Sequence, residues 1–284
     1  VAENRHLAIV LHQALDSAPD VDLLCPATIV QMQPVAEGMQ VELSCGQTCS
    51  ISADLVVLAD GGKSDLSQKL GIDSVVTAYQ QSAIISNIAF SRPHDNIAYE
   101  RFTDAGPIAV LPLSPLAGEN RGALIWTMPE EQAAQILALP DEEFLAQLQL
   151  RFGRRLGRLS RAGMRAAFPL ALRVAREQVR PGLVLLGNVA HTLHPVAGQG
   201  LNLALRDAQT LAETVMAAIT DGKSPGTMPV LQQFSEKYGH QVPMIGVNYL
   251  DLQPEMAIDF ARRSGVTYPS VADPCGDLQE TDAP

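Results

Sequence analysis

The sequence has little positive charge and no long apolar run. Its 284 residues carry 20 Lys and Arg against 31 Asp and Glu, a formal net charge of -11. Because nucleic-acid binding requires clustered Lys and Arg, this balance excludes nucleic acid as a partner class. No run of about 18 apolar residues is present, and the N-terminus has no basic region followed by an apolar stretch and a cleavage site. We therefore expect a cytoplasmic protein, with room for a peripheral membrane contact if its substrate is a lipid.

Cysteine is scarce as well. The four cysteines are Cys25, Cys45, Cys49 and Cys275. Their spacing is that of neither a disulfide framework nor a zinc site, so we expect reduced thiols and interpret Cys45 to Cys49 as a hairpin turn. His191 and His194 are too close together for the i, i+4 pair of a helical zinc site. We expect no metal.

Two apolar runs each end in a glycine-containing turn. Residues 53–59 lead to Asp60 and Gly61, and residues 183–186 lead to Gly187. Continuous apolar runs of this kind are typical of buried parallel strands. After the second run, a loop rich in Gly and Pro leads to a helix beginning near Gly200, with apolar residues at helical spacing. The pattern predicts an α/β domain in which backbone N–H groups at a helix N-terminus can approach an anionic ligand.

The region between these two runs has a different character. Short apolar segments separated by Pro and Gly predict an antiparallel sheet, and helical periodicity follows over residues 129–152. The expected strands are 83–90, 97–102, 108–113 and 122–127. A further hairpin is expected from residues 28–33 and 39–44.

Residues 187–208 resemble the second flavin-binding motif of FAD-dependent aromatic hydroxylases of the ubiquinone-biosynthesis type. By this resemblance Asn188 contacts the flavin ribityl chain or ribose, and Pro195 lies beside the isoalloxazine ring. The residues that the resemblance assigns to the flavin in this motif are Gly187, Asn188, Pro195, Gly198, Gln199, Gly200, Leu201 and Asn202. The family usually has aspartate where this chain has Asn188, which keeps an acceptor oxygen but loses the charge. The 2-octaprenyl-6-methoxyphenol hydroxylase branch resembles this chain in carrying asparagine there.

Three further stretches carry the same resemblance. Asp60 and Gly61 resemble the family's Asp-Gly motif, which serves flavin and nicotinamide binding; a plain turn at a strand end is the alternative. Residues 100–113 are similar to the substrate-domain sheet, or form an ordinary hairpin. Asn4 and Arg5 resemble a helix in which the family places a polar flavin contact.

The implied fold is α/β: an incomplete FAD-binding doubly wound domain with an inserted antiparallel substrate sheet. We expect residues 1–75 and 166–240 to form the FAD-binding domain without its first βαβ unit, which would supply the glycine-rich phosphate turn. Residues 76–165 would form the substrate-binding β-sheet domain with its helices. Residues 241–284 are expected to form a thioredoxin-like or divergent tail, because residues 242–279 resemble part of a thioredoxin-like reductase without its Cys-x-x-Cys site.

The resemblance implies an FAD-dependent monooxygenase that uses NAD(P)H and O₂ to hydroxylate a polyprenylated phenol in ubiquinone biosynthesis. No catalytic residue is assigned, and we expect the chain alone to be inactive. Two alternatives stay open: a non-catalytic fragment that only associates with partners, and a related flavoprotein of the halogenase or reductase type. Association with a membrane surface, with a ubiquinone-enzyme complex or with a second copy is also left open.

Overall fold

The computed structural model describes residues 3–36, 38–46, 48–195 and 198–239. The predicted tail, residues 241–284, lies outside the described residues. The helices are α1 (Asn4–Asp16), α2 (Leu66–Lys69), α3 (Glu130–Leu137), α4 (Asp141–Phe152), α5 (Gln199–Thr220) and α6 (Met228–Gly239). The strands are β1 (Thr28–Val35), β2 (Gly38–Ser44), β3 (Thr48–Ala53), β4 (Val56–Leu58), β5 (Ser74–Phe90), β6 (Tyr99–Thr103), β7 (Gly106–Leu116), β8 (Glu119–Pro129), β9 (Leu159–Ala162), β10 (Ala166–Ala175), β11 (Val179–Arg180), β12 (Leu183–Leu185) and β13 (His191–Thr192).

The described chain divides into two compact units. The first contains residues 3–11 and 80–170, and the second contains residues 12–79 and 171–239. Three elements, α1, β5 and β10, contribute residues to both. Among the residues with described structure, none of the helices has both the length and the apolar character that crossing a membrane requires.

The first unit is built on an antiparallel sheet, as the sequence predicts. β8 pairs with β5 on one side and β7 on the other, β6 pairs with the far side of β7, and β9 pairs with β5. The register places Trp126 of β8 between Ile84 of β5 and Ile108 of β7, and all three are buried. The Trp126 ring lies 5.8 Å from that of Phe144 in α4. The helical periodicity of residues 129–152 is therefore confirmed, and it presents an apolar face to this core.

The second unit contains two small sheets. β1, β2 and β3 form an antiparallel meander, which confirms the predicted hairpin, and β11, β12 and β4 form the other sheet. β4 and β12 are parallel, as expected from their apolar runs. The first run is nevertheless shorter than predicted, since only Val56–Leu58 pair, and Val57 is 39% exposed rather than buried.

The strand β12 has buried residues on both faces. Leu183 and Leu185 pack in a cluster with residues of the meander, while Val184 packs with Leu211 of α5 and Leu231 of α6. Alternate residues of a strand point to opposite faces, so a strand covered on both sides must be apolar throughout. This explains the uninterrupted apolar run that ends at the candidate site.

Candidate functional site

The first predicted site turn follows β4. Asp60 accepts hydrogen bonds from the backbone N–H of Gly62 at 2.8 Å, from that of Ser64 at 3.2 Å, and from the Ser64 hydroxyl. Burial alone would raise the pKa of Asp60, but the hydrogen bonds from Ser64 and Gly62 outweigh it and lower the pKa. Gly61 and Gly62 have φ of +73° and +70°, which favours glycine. Asp60 thus acts as the internal acceptor that shapes this turn.

The second predicted turn follows β12 and contains Gly187 and Asn188. Gly187 has φ of +70°, and its carbonyl accepts a hydrogen bond from Ala190 N–H at 2.9 Å. The Asn188 side chain is exposed. The backbone carbonyl of Asn188 accepts a hydrogen bond from the Thr192 hydroxyl at 3.0 Å. These backbone hydrogen bonds therefore fix the conformation of the turn, and the side-chain amide of Asn188 remains available to a ligand.

These two turns lie side by side. A β-carbon on Gly62 would lie 3.4 Å from the Asn188 carbonyl oxygen and 3.6 Å from Val189 Cα. Leu186 N–H also donates to the Leu58 carbonyl at 2.9 Å, extending the β4 and β12 pairing up to the turns. The carboxyl ends of parallel strands are where open α/β sheets bind ligands. The structure thus brings Asp60 and Gly61 next to Gly187 and Asn188.

The N-terminus of α5 completes this edge of the second unit. Gly198 precedes the helix with φ of 59° and ψ of 29°, and its N–H donates to the Pro195 carbonyl at 3.0 Å. A β-carbon on Gly187 would lie 3.8 Å from Cβ of Ala204, so α5 runs close beside the second turn. Leu201 is 57% exposed, and Asn202 is exposed too. The first turn of α5 therefore offers free surface, and the helix dipole makes that surface attractive to negative charge.

The arrangement suits a flavin on the chemistry of its donors. A β-carbon on Gly61, Gly198 or Gly200 would meet no heavy atom within 4 Å, so the described chain leaves open space at these glycines. Backbone N–H groups of the first turn of α5, which contains Gln199 and Gly200, can donate to carbonyl or ring-nitrogen acceptors. The Asn188 amide can both donate to and accept from hydroxyl groups. Hydroxyls along a sugar-like chain and an electron-accepting ring edge are what FAD presents.

Two histidines follow the second turn in sequence: His191 is buried, and His194 is half-buried. The His191 Nε2 atom is 3.7 Å from Oδ2 of Asp207, and the His194 and Tyr79 rings meet edge to face at 5.0 Å. Burial lowers the pKa of both His191 and His194, so both imidazoles are neutral at neutral pH. In the part of the chain that the structure describes, no group of three or more potential metal ligands is present.

No role was assigned to Asp207 from the sequence, although the spacing of the apolar residues in α5 indicates that this carboxylate is buried. The buried positions of α5 recur every three or four residues, at 203, 207, 211, 214 and 218. An acidic residue on such a stripe must have a polar neighbour inside the protein, because an isolated buried carboxylate is costly. The remaining predicted residues, Asn4 and Arg5, lie exposed in the part of α1 that belongs to the first unit, and their role stays a prediction.

The chain matches known proteins over most of its length. Residues 31–232 match the model of the FAD binding domain family. Ubiquinone hydroxylase UbiL of Rhodospirillum rubrum is 38% identical over 234 residues, which are 82% of this chain and 53% of that protein. The 3-demethoxyubiquinol 3-hydroxylase of Escherichia coli is 32% identical over 234 residues, 82% of this chain and 58% of that protein. The chain thus spans somewhat more than half the length of these curated relatives.

Solved structures share the fold. The p-nitrophenol 4-monooxygenase PnpA of Pseudomonas putida superposes with a TM-score of 0.69 at 19% identity, over 91% of this chain and 66% of that one. At this identity the likeness concerns the fold alone.

Proposed function

We propose that this chain, which belongs to the FAD binding domain family, is an FAD-dependent monooxygenase of the ubiquinone-biosynthesis type that hydroxylates a polyprenylated phenol. The observation that carries this proposal is the approach of Gly62 to the backbone of Asn188. It joins two turns, each from the carboxyl end of a parallel strand, beside the N-terminus of α5. That edge is the place where a doubly wound sheet holds a nucleotide cofactor.

Each residue of this edge has a distinct task in the proposal. The Asn188 amide orients the ribityl chain or ribose through hydrogen bonds, and Pro195 limits the position of the ring. The backbone of residues 198–202, namely Gly198, Gln199, Gly200, Leu201 and Asn202, faces the polar edge of the ring, N–H groups of the first turn of α5 donate to that edge, and the α5 dipole stabilises negative charge there. Asp60 and Gly61 keep the neighbouring turn open to the cofactor. When bound, FAD would take a hydride from NAD(P)H and activate O₂ for transfer of one oxygen atom to the phenol.

The names of the relatives motivate the substrate class. Rhodospirillum rubrum UbiL is called a ubiquinone hydroxylase, and the Escherichia coli protein a 3-demethoxyubiquinol 3-hydroxylase. A polyprenylated phenol has an electron-rich ring that accepts oxygen and a long apolar tail. A substrate with such a tail resides in a membrane, so we include a peripheral membrane contact or association with other ubiquinone enzymes in the proposal.

Because the chain alone is expected to be inactive, the experiment is turnover with the protein reconstituted with a first βαβ unit, in the presence of FAD, NADH or NADPH and a 2-polyprenylphenol. We expect oxidation of the nicotinamide that depends on the phenol, and a product heavier by one oxygen atom. A phenol without the prenyl tail serves as the control for substrate class. A halogenated product that appears only with chloride or bromide would instead place the protein with flavin halogenases. Absence of both flavin binding and turnover would favour a non-catalytic protein.

A further inference from the structure

A pair of thiols lies at the turn between β2 and β3. Leu43 of β2 is paired with Cys49 of β3, and Cys45 follows Leu43 by two positions. Because alternate residues share a face of a strand, this register places Cys45 and Cys49 on the same side of the hairpin, as a diagonal pair. Their Sγ atoms are 3.6 Å apart. Two thiols of one turn are therefore already in contact.

We propose that Cys45 and Cys49 form a reversible intramolecular disulfide, a redox-sensitive site on the meander that is separate from the flavin edge. The oxidant is a low-molecular-weight disulfide such as oxidised glutathione. This assignment goes beyond the expectation, drawn from spacing alone, that these cysteines are reduced thiols in a hairpin turn. Spacing in sequence does not reveal the distance between two sulfur atoms, whereas the strand register does.

The two thiols differ in their readiness to react. Cys45 is exposed, while Cys49 is half-buried and packs against the cluster that contains Met39, Val41 and Leu43. The hydrogen bond with Cys45, together with burial, raises the pKa of the Cys49 thiol. Cys49 therefore keeps its proton while Cys45, the accessible sulfur, is the first to attack.

The exchange is balanced in atoms and electrons. The Cys45 thiolate attacks one sulfur of oxidised glutathione, whose S–S bond breaks, and one glutathione leaves with the proton that Cys45 gave up. Cys49 then loses its proton to solvent and attacks the Cys45 sulfur, and the second glutathione leaves and is protonated. Two protein thiols are oxidised, one small disulfide is reduced, and two molecules of glutathione are formed.

The turn has room for the small movement that the bond requires. A disulfide has an S–S distance of about 2.05 Å, so the sulfur atoms must approach by about 1.5 Å. Gly46 lies between them in the chain with φ of +89°, and a β-carbon there would meet no heavy atom within 4 Å. The backbone at Gly46 can therefore adjust without displacing a packed neighbour.

The test is intact-mass analysis of the protein after equilibration in mixtures of reduced and oxidised glutathione. The background variant Cys25→Ser/Cys275→Ser leaves Cys45 and Cys49 as its only thiols. We expect the monomer to lose about 2 Da, the mass of two hydrogen atoms, and dithiothreitol to reverse the change. Oxidation should also raise the melting temperature by a few degrees, because the cross-link closes a loop attached to the core.

Single substitutions in the same background provide the control. Cys45→Ser should leave a protein that gains at most one glutathione at Cys49, and Cys49→Ser should gain one at Cys45. Because Cys45 is exposed, its substitution preserves folding even if that of the half-buried Cys49 does not. The proposal is overturned if the background protein keeps two reduced thiols in excess oxidised glutathione, carries two glutathione adducts, or forms a disulfide only between two chains.

Discussion

The Nε2 atom of His191 lies 3.7 Å from Oδ2 of Asp207, and both side chains are almost fully buried, with 2% and 4% of their surface exposed. His191 comes two residues after the 187–189 turn, and Asp207 lies in the third turn of α5. The pair thus connects the turn that contains Asn188 to α5, the helix whose first turn has N–H groups that can donate to a ligand. A carboxylate at this distance favours a charged imidazole, but burial has the larger effect and lowers the pKa of His191.

This burial predicts how stability depends on pH. In the unfolded chain His191 takes up a proton near pH 6.5, whereas in the folded protein its pKa is lower. Between these two pKa values the unfolded state binds more protons, so the free energy of unfolding falls as the pH is lowered through about 6.5 towards the folded pKa. Urea unfolding across this range measures the slope. His191→Gln should reduce the slope, and the remainder should come from His194, whose pKa burial also lowers. An unchanged slope in the His191→Gln protein would contradict this.

Removing the carboxylate of Asp207 should weaken the same connection. Asp207→Ala should lower the free energy of unfolding by about 1–3 kcal/mol, since the change leaves buried polar atoms near His191 without a partner. Asp207→Asn, which keeps the shape and one acceptor oxygen, should lose less than half of that. Gln209→Ala, an exposed change on the same helix, should stay within about 0.5 kcal/mol of the parent. Equal losses in the alanine and asparagine variants would contradict this expectation, because they would show that the negative charge, rather than one acceptor oxygen or the packing volume, matters at this position.

Asp60 should contribute to stability mainly through its hydrogen bonds. Asp60→Ala removes the acceptor for Gly62 and Ser64 and should cost about 1 kcal/mol. Because hydrogen bonding lowers the pKa of Asp60 in the folded state, its contribution is complete above the unfolded pKa of about 3.9 and is lost as the pH falls through the folded pKa. Acid unfolding of Asp60→Asn should therefore depend less on pH in this range. Ser64→Ala is the matched control. Of the hydrogen bonds to Asp60, it removes only that from the hydroxyl, so the pKa of Asp60 should be lowered less than in the parent but should still be lowered.

The sequence predicted many single helices and strands, but it predicted few of the contacts through which they pair or pack together. Hydrophobic alternation predicted most strands of the antiparallel sheet, and the apolar run at residues 183–186 predicted β12. β10 was missed because Pro169 and a run of alanine and leucine hide its alternation. At β4 the run of residues 53–59 predicted a longer strand than the three residues that pair, since apolar composition does not say where a partner strand ends.

The candidate site was predictable in the same partial way. Glycine turns after apolar strands pointed to Asp60, Gly61, Gly187 and Asn188 individually. Their meeting depends on the pairing of β4 with β12 across about 120 residues of chain, which periodicity does not encode. The contact of His191 with Asp207 and that of Cys45 with Cys49 likewise come from helix packing and strand register.

A close backbone approach at Gly226 should make that position intolerant of a side chain. A β-carbon there would overlap the Asp54 carbonyl oxygen and would lie 3.2 Å from Gly182 Cα. Both neighbours are backbone atoms and cannot rotate away, so Gly226→Ala should cost about 3 kcal/mol. Gly222→Ala is the control: its φ is +70°, but a β-carbon there meets open space, so only about 1 kcal/mol of backbone strain is expected. Thermal unfolding of the two variants decides, and a smaller loss at 226 than at 222 would contradict the predicted approach.

Substitution of Asn188 should separate flavin binding from folding. The side chain is exposed, and its carbonyl contact with Thr192 is a backbone interaction that substitution leaves in place. Asn188→Ala should therefore change the free energy of unfolding by less than about 0.5 kcal/mol. In the protein reconstituted with a first βαβ unit, Asn188→Ala should weaken the free energy of FAD binding by about 1–3 kcal/mol, because a ligand hydroxyl buried against the turn would lose its partner. Asn188→Asp, which keeps an acceptor oxygen, should bind FAD nearly as well as the parent.

Titration of the protein with FAD, monitored by the quenching of flavin fluorescence, gives the affinities. Gln209→Ala is the control for the loss of a polar side chain elsewhere on the second unit. The three variants together distinguish two roles for the amide. If it only donates a hydrogen bond, the aspartate variant will bind as poorly as the alanine variant. If it accepts one, as the proposed ribityl contact requires, only the alanine variant will lose affinity. FAD affinity unaltered in both Asn188 variants would remove this residue from the cofactor site and, with it, the geometric reason for placing the flavin at the edge where Gly62 meets Asn188.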